Sequence, residues 1–478
     1  MTSALNLEDQ RWSLLALTCV GAFMTPLDVS IVAVALPTMG PALHLTYAAT
    51  LWVQAAYLLT MAVLLIPVGR MADQGGRLRY YLAGIMLFTL GSLAAALSRD
   101  GAQLVLSRIL QGSGGALLSA TSTAIVAAVF PPSERGRALG INVMAVYLGL
   151  SVGPPLGGFL VSQLGWPWIF LVNLPVGLGA LAWGWRLLPP RAPGPVNRPP
   201  QDLAGTVLLG VFLVCLIVPL TYLPEWGWSP TTRVLLALAP VAFAAFLAVE
   251  SRAMAPLVDL ALLRHNRLFA SANLAALLNY CALFAISVLT AAQLQLVQGR
   301  SVRLTGWIML GQPVMQASLS PFAGRLSDRM GSRTLATAGM LLVTAGMVLL
   351  ALMGRQASIL HIMGSLAVVG LGMAAFSAPN TSAIMGSVER SQLSVASAFL
   401  GTMRVTGQAL SVAILGGIAA SRLGSGGWRQ LLRQAGHGGA AADAFAWGYR
   451  AAMLTGAALA LLGAWASLTR GSGENRPK

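Results

Sequence analysis

The sequence predicts an all-α polytopic membrane protein: two bundles of six transmembrane helices, with two further helices inserted between them. Three observations carry this. The 478 residues are 56% hydrophobic and 9% charged, with a mean hydropathy of +0.74, too apolar for a polar surface to clothe in water. Apolar runs of about 20 residues, enough to cross a bilayer core about 30 Å thick, recur fourteen times. One loop motif appears once in each half of the chain, on turns of equivalent place.

The runs fall at 13–36, 50–69, 80–98, 104–129, 138–160, 167–188, 203–221, 231–249, 268–293, 305–325, 334–353, 358–384, 394–419 and 447–469. The first exceeds a signal-peptide core and has no small-x-small site before its end, so it is expected to stay in the mature protein. Runs one to six make an N-terminal bundle over 1–188. The proline-rich stretch LPPRAPGPVNRPPQD ends it and gives a cytoplasmic linker at 189–202 with extended character. Runs seven and eight, 203–249, are the inserted pair. The C-terminal bundle occupies 250–478 and carries an external glycine-rich loop, 421–446, in which WRQLLRQ reads as a short surface helix.

Charge sets the orientation. Nineteen of the thirty basic residues fall on the N-terminal side's set of loops and tails, nine on the other, and Arg108 and Arg404 within spans. The positive-inside bias puts both termini in the cytoplasm, in a bacterial-type plasma (inner) membrane. A net charge of +16 so distributed serves lipid headgroups and not nucleic acid. Cys19, Cys215 and Cys281 lie in apolar runs without paired or metal-type spacing, so neither a disulfide nor a metal site is expected.

The repeated motif is GRMADQGGR at 69–77 and GRLSDRMGSR at 324–333, sharing Gly-x-x-x-Asp-x-x-Gly. LDVSIVAVALP in run one, WVQAAYLL in run two, RILQGSGGA in run four, GLSVGPPLGG in run five and WPWIFLVNLPVG opening run six follow in order. Together these resemble the major facilitator superfamily, in particular its fourteen-helix drug:proton antiporters, over essentially the whole chain. The resemblance implies the major facilitator fold and proton-coupled export. It implies proton coupling by Asp28 and Arg108, a conformational latch at Gly69, Asp73, Gly76, Arg77, Gly324, Asp328 and Arg329, and an antiporter motif at Gly149, Gly153, Pro154, Gly157 and Gly158. Gln74, Leu78 and Ser332 depart from the basic residues that family commonly has in the latch loops.

The residues carry part of this unaided. Of the 14 acidic residues, Asp28 alone falls deep in a run, where an ionisable side chain costs about 2.5–3.5 kcal/mol on insertion scales and marks function by default. At 1.5 Å per residue, Asp28 lies about 8 Å and Arg108 about 6 Å from the outer boundary of the apolar core, one layer for both. Arg108 is expected to modulate Asp28 by charge or through a water. Arg404 is too deep to reach headgroups and should face the cavity. Gly149, Gly153 and Gly157 recur every four residues and let another helix approach closely, a contact that the family resemblance implies is a seal between the halves. Substrate-cavity candidates are Trp52, Gln54, Tyr57, Gln111, Asn279, Tyr280, Gln312 and Gln316, among 19 Met and 12 Trp suited to a deformable apolar site.

No phosphate loop, metal cluster or nucleophile–base pair is visible in the sequence, so the chain is not expected to be an enzyme. The expected function is antiport of amphipathic or lipophilic compounds, cationic or neutral, against protons. The alternative is a flippase or exporter of lipids or lipid-linked metabolites on the same fold. Its expected partners are the small lipophilic substrate, protons and the bilayer, with no cofactor, the proton gradient as energy source, and a monomeric chain.

Overall fold

The computed structural model describes residues 10–188, 201–253, 256–354, 356–389, 392–424 and 426–470, apart from the side chains of Pro132, Asp328 and Ser394. The described residues are helical with short turns. The N-terminal bundle is α1 (Arg11–Ala42), α2 (Tyr47–Gly75), α3 (Arg77–Ala96), α4 (Gly101–Val129), α5 (Pro132–Gln163) and α6 (Trp168–Arg186). The inserted pair is α7 (Leu203–Trp226) and α8 (Pro230–Glu250). The C-terminal bundle is α9 (Arg267–Val297, its last turn a π-helix), α10 (Val302–Ile308 and Gly311–Met330), α11 (Ser332–Ala351), α12 (Ile359–Gly386), α13 (Leu393–Ala420) and α14 (Ala440–Leu468). Side-chain oxygens of Thr46, Asp100, Asp202, Ser229, Asn266 and Ser358 cap helix starts by accepting backbone N–H bonds.

Thirteen of these helices are long and apolar enough to cross a membrane, one fewer than the apolar runs. The difference is α10, which breaks between Ile308 and Gly311. Its longer part carries Gln312, Gln316, Ser318, Ser320, Arg325 and Arg329, so it has the length of a span without the apolarity. The turns Gly76 and Gly331 close the two copies of the loop motif at φ of +99° and +84°, a conformation open to glycine and strained for other residues.

Each bundle packs internally, α1 on α5, α3 on α4, α2 on α4, and correspondingly α11 on α12, α10 on α12, α9 on α13. The bundles meet along α2–α13, α5–α10 and α1–α9. α7 lies against both α2 and α13, over that seam, and α8 packs on α7. The backbone N–H of Ala48, at the start of α2, donates to the Glu225 carboxylate at the end of α7 over 2.8 Å.

At the end of the molecule bearing Tyr47 and Ser301 the halves are closed on each other. The Tyr47 hydroxyl donates to the Gly416 carbonyl at 3.0 Å, and the Gln295 amide donates to the Val34 carbonyl at 2.9 Å. The loop between α13 and α14 folds over this end with the short helix Gly427–Arg433, placed where WRQLLRQ suggested. Its Trp428 packs edge-on against Tyr47, ring centroids 5.0 Å apart, and the Gly436 N–H donates to the Leu296 carbonyl at 3.0 Å.

A buried ion pair and the candidate functional site

Asp28 on α1 and Arg108 on α4 are both wholly enclosed, with side-chain exposures of 0%. The Arg108 Nη1 donates to Asp28 Oδ2 at 2.6 Å. Contact is therefore direct, without the intervening water the sequence left open, and the enclosure shows that Arg108 does not reach headgroups. Its Nε donates to the Val53 carbonyl of α2 at 3.1 Å, and Nη1 donates also to Gln111 Oε1. The guanidinium lies over the Tyr57 ring, 4.4 Å from the centroid, with Phe170 at 5.7 Å on another side, which holds the charge by cation–π attraction in a dry surround.

Gln111 completes the cluster. Its Nε2 donates to Asp28 Oδ1 at 2.7 Å and to the Ser92 hydroxyl of α3 at 2.9 Å. Asn173 of α6 donates to the same hydroxyl at 3.3 Å. Both carboxylate oxygens thus accept charge-assisted or amide hydrogen bonds, the condition for keeping a carboxylate out of water. Arg108 and Gln111 stand three residues apart on one face of α4, and close approach is possible because Gly112 and Gly115 of that helix abut the Tyr57 carbonyl and hydroxyl, while Gly91 of α3 abuts the Gln111 backbone. Gln111 and Tyr57, expected at a substrate cavity, are members of this enclosed cluster instead. Sequence reasoning missed Ser92 and Asn173. Asn173 stood within the quoted motif opening run six; a lone serine in an apolar run gave no signal.

The remaining candidates separate. Trp52 lies against Tyr222 of α7, centroids 6.3 Å apart, so it faces the inserted pair. Gln54 is buried and donates to the Val29 carbonyl at 3.3 Å. Asn279 is buried with its amide 3.2 Å from the Met373 sulfur. Gln312 and Gln316 line a cavity of about 60 Å³ between the bundles with Ser30, Leu150, Pro154 and Ser287, room for a few waters. Arg404 is exposed, twelve residues into α13, its guanidinium 5.2 Å from the centroid of the half-buried Tyr280.

The antiporter motif has two faces. A Cβ at Gly149 or Gly153 would overlap the Phe23 carbonyl or Ser30 hydroxyl of α1, and one at Gly157 would sit 2.8 Å from Ile31 Cγ1. That stripe packs within the N-terminal bundle. Contact with the other half comes from Gly158, whose Cβ would sit 2.8 Å from the Val302 carbonyl, and from Pro154, whose carbonyl fills the space beside Gly306 of α10. At the first latch loop Arg77 Nε donates to Asp73 Oδ1 at 2.7 Å, both side chains about two-fifths exposed (39% and 42%), and Arg77 reaches the Ala124 carbonyl of α4 at 3.3 Å. Gly69 faces Ala120 of the same bundle. In the second copy Gly324 meets open space and Arg329 is exposed, whereas the Asp328 side chain lies outside the described residues.

Two helical bundles of membrane-crossing length are joined across a seam, with an enclosed carboxylate–arginine pair inside one of them, the build of an integral membrane protein. A sequence model described as Major Facilitator Superfamily matches residues 18–289 and 268–477, and the chain belongs to that superfamily. It is 32% identical over 415 residues to a riboflavin transporter of Clostridioides difficile, covering 87% of this chain and 89% of that one. Identity is 36% over 408 residues to a multidrug resistance protein of Mycobacterium tuberculosis (85% and 75% covered). It is 33% over 426 residues to the tetracenomycin C resistance and export protein of Streptomyces glaucescens (88% and 78%). Among solved structures, a bacterial homolog of the human lysosomal transporter Spinster, inward-facing and unoccupied, superposes with a TM-score of 0.68 at 17% identity over 96% of each chain.

Proposed function

We propose that this chain is a proton-coupled antiporter that exports amphipathic, lipophilic small molecules by alternating access, with Asp28 as the proton acceptor. The observation that carries the reading is the enclosed Asp28–Arg108–Gln111 cluster. A proton on Asp28 cancels the carboxylate and leaves the Arg108 guanidinium enclosed without its counter-charge, which is costly where water is excluded. Arg108 then needs a new partner, so proton binding is tied to movement between α1 and α4. Because α1 also meets α9 and, through α5, α10, such movement reaches the other bundle. One proton per cycle follows from one deep carboxylate.

Two relatives' names, multidrug resistance and tetracenomycin C resistance and export, support small-molecule export, while the riboflavin transporter's name supports small-molecule transport without giving its direction. The charge bias of the loops supports cytoplasmic termini, the bacterial relatives support an inner-membrane location, and with that orientation the closed end is the outer one. No cofactor is required, since the proton gradient supplies the energy, and the cluster lies within one chain, so a monomer suffices. The test is substrate-driven proton movement in proteoliposomes. The parent protein is expected to acidify or alkalinise the lumen with substrate flux, and Asp28→Asn to lose that coupling. An Asp28→Asn protein that still exchanges a lipophilic dye for protons at the parent rate would falsify the reading.

A further inference from the structure

Arg404 carries a fixed positive charge with no carboxylate paired to it among the described residues. Leu51 faces Gly416 and Leu65 faces Gly401 across the α2–α13 seam, so Arg404 stands opposite Ala62 and Val63. That is about nine residues, or roughly 14 Å along the axis, from the level of Val53 and the enclosed pair. Its side chain points between two packed neighbours. Gly401 abuts α2 and Gly407 abuts Leu277 and Tyr280 of α9, and each lies about 60° around α13 from Arg404, at 100° per residue. The guanidinium therefore projects between α2 of one bundle and α9 of the other, with Tyr280 behind it.

Among the described residues Arg404 forms no ion pair, unlike Arg11 with Glu134, Arg77 with Asp73 and Arg108 with Asp28. Asp28, the deep acid, is already matched by Arg108. An arginine stays charged at any physiological pH and presents a planar fork that suits a carboxylate or another delocalised anion. A charged side chain at membrane depth that faces the bundle interior is a functional position by default. Resting on the export function proposed above, we propose that Arg404, braced by Tyr280, selects substrates by charge, so that the transporter carries lipophilic monoanions in preference to equally lipophilic cations. This departs from the cationic or neutral substrates expected from the sequence. Export of a monoanion against one entering proton moves two charges inward per cycle, so an inside-negative potential drives it, whereas a monocation exchanged for a proton moves none.

The test uses three probes on one aromatic body: a pyrene carboxylate, its methyl ester and a pyrene trialkylammonium. Equilibrium binding to purified parent protein, Arg404→Gln and Arg404→Lys is read by pyrene fluorescence, and the same proteins are assayed in liposomes for proton movement. The parent is expected to bind the carboxylate tighter than the ester and the ester tighter than the cation. Arg404→Gln should lower the carboxylate-to-ester affinity ratio about tenfold, the size of one charge-assisted hydrogen bond, with Arg404→Lys retaining most of it. A ratio unmoved by Arg404→Gln, a parent that favours the cation, or a parent that binds no probe overturns the proposal. Charge selectivity without any substrate-linked proton movement would instead sink the antiport reading and leave Arg404 in place as a selector.

Discussion

Removing one partner of an enclosed ion pair leaves the other as an uncompensated charge, at a cost of about 3–5 kcal/mol. Asp28→Ala and Arg108→Ala are each expected to destabilise the detergent-solubilised protein on that scale. The double variant should be less destabilised than the sum of the two, because its second substitution removes the stranded charge. Asp28→Asn should cost less than Asp28→Ala, since its amide oxygen can still accept from Arg108 or Gln111. Thermal unfolding of the four proteins checks this, and additive losses would mean that the 2.6 Å contact contributes nothing. The pair itself was legible: one acid deep in an apolar run and one arginine at matching depth. Its third and fourth members were legible only in part, for Gln111 reads equally well as a cavity residue, and Ser92 looks like any small polar residue in a helix. What decides between those readings is the approach of α3 to α4 at Gly91, a contact that the periodicity of neither helix specifies.

Glycines in α5 behave oppositely according to what stands beside them. At Gly153 a methyl group would overlap Ser30 of α1, whereas at Gly140 it would meet nothing within 4 Å. Gly153→Ala is therefore expected to destabilise by about 1–3 kcal/mol through overpacking. Gly140→Ala should stabilise by about 0.5–1 kcal/mol, because an open helical site gains from losing glycine's freedom. Thermal unfolding of both variants decides it, and equal effects would mean that α1 and α5 are not in contact. The four-residue glycine spacing announced close packing, but the partner it packs against, α1 and not the opposite bundle, depends on how the helices are arranged in space. Helix α10 shows the same limit from the other side. Its apolar count sufficed for a span in the sequence, yet it is interrupted between Ile308 and Gly311, and Gln312 and Gln316, which line the small cavity between the bundles, together with its serines and arginines leave its longer part too polar to pass as an ordinary membrane helix.

Across the whole molecule, the closure at the Tyr47 end is made by residues far apart in the chain; the Tyr47–Gly416 hydrogen bond spans 369 positions. Loop charges can say which end faces outward, but only tertiary packing says which end is shut. If transport requires that shut end to open, tying α2 to α13 there must stop it. Leu51 and Gly416 are suited to this, since a side chain at Gly416 would run into that of Leu51. Cysteines at 51 and 416, in a protein whose half-buried Cys19 is replaced by Ala and whose Cys215 and Cys281 remain buried, are expected to join under mild oxidation or with a short thiol cross-linker. Flux of a pyrene probe in liposomes should then fall to background, and reduction of the link should restore it. Each single cysteine treated in the same way should keep its activity, which separates locking from damage at either site. Full transport by the cross-linked double variant would mean that the seam between α2 and α13 stays shut throughout the cycle, and substrate would then have to leave by the opposite seam, between α5 and the broken helix α10.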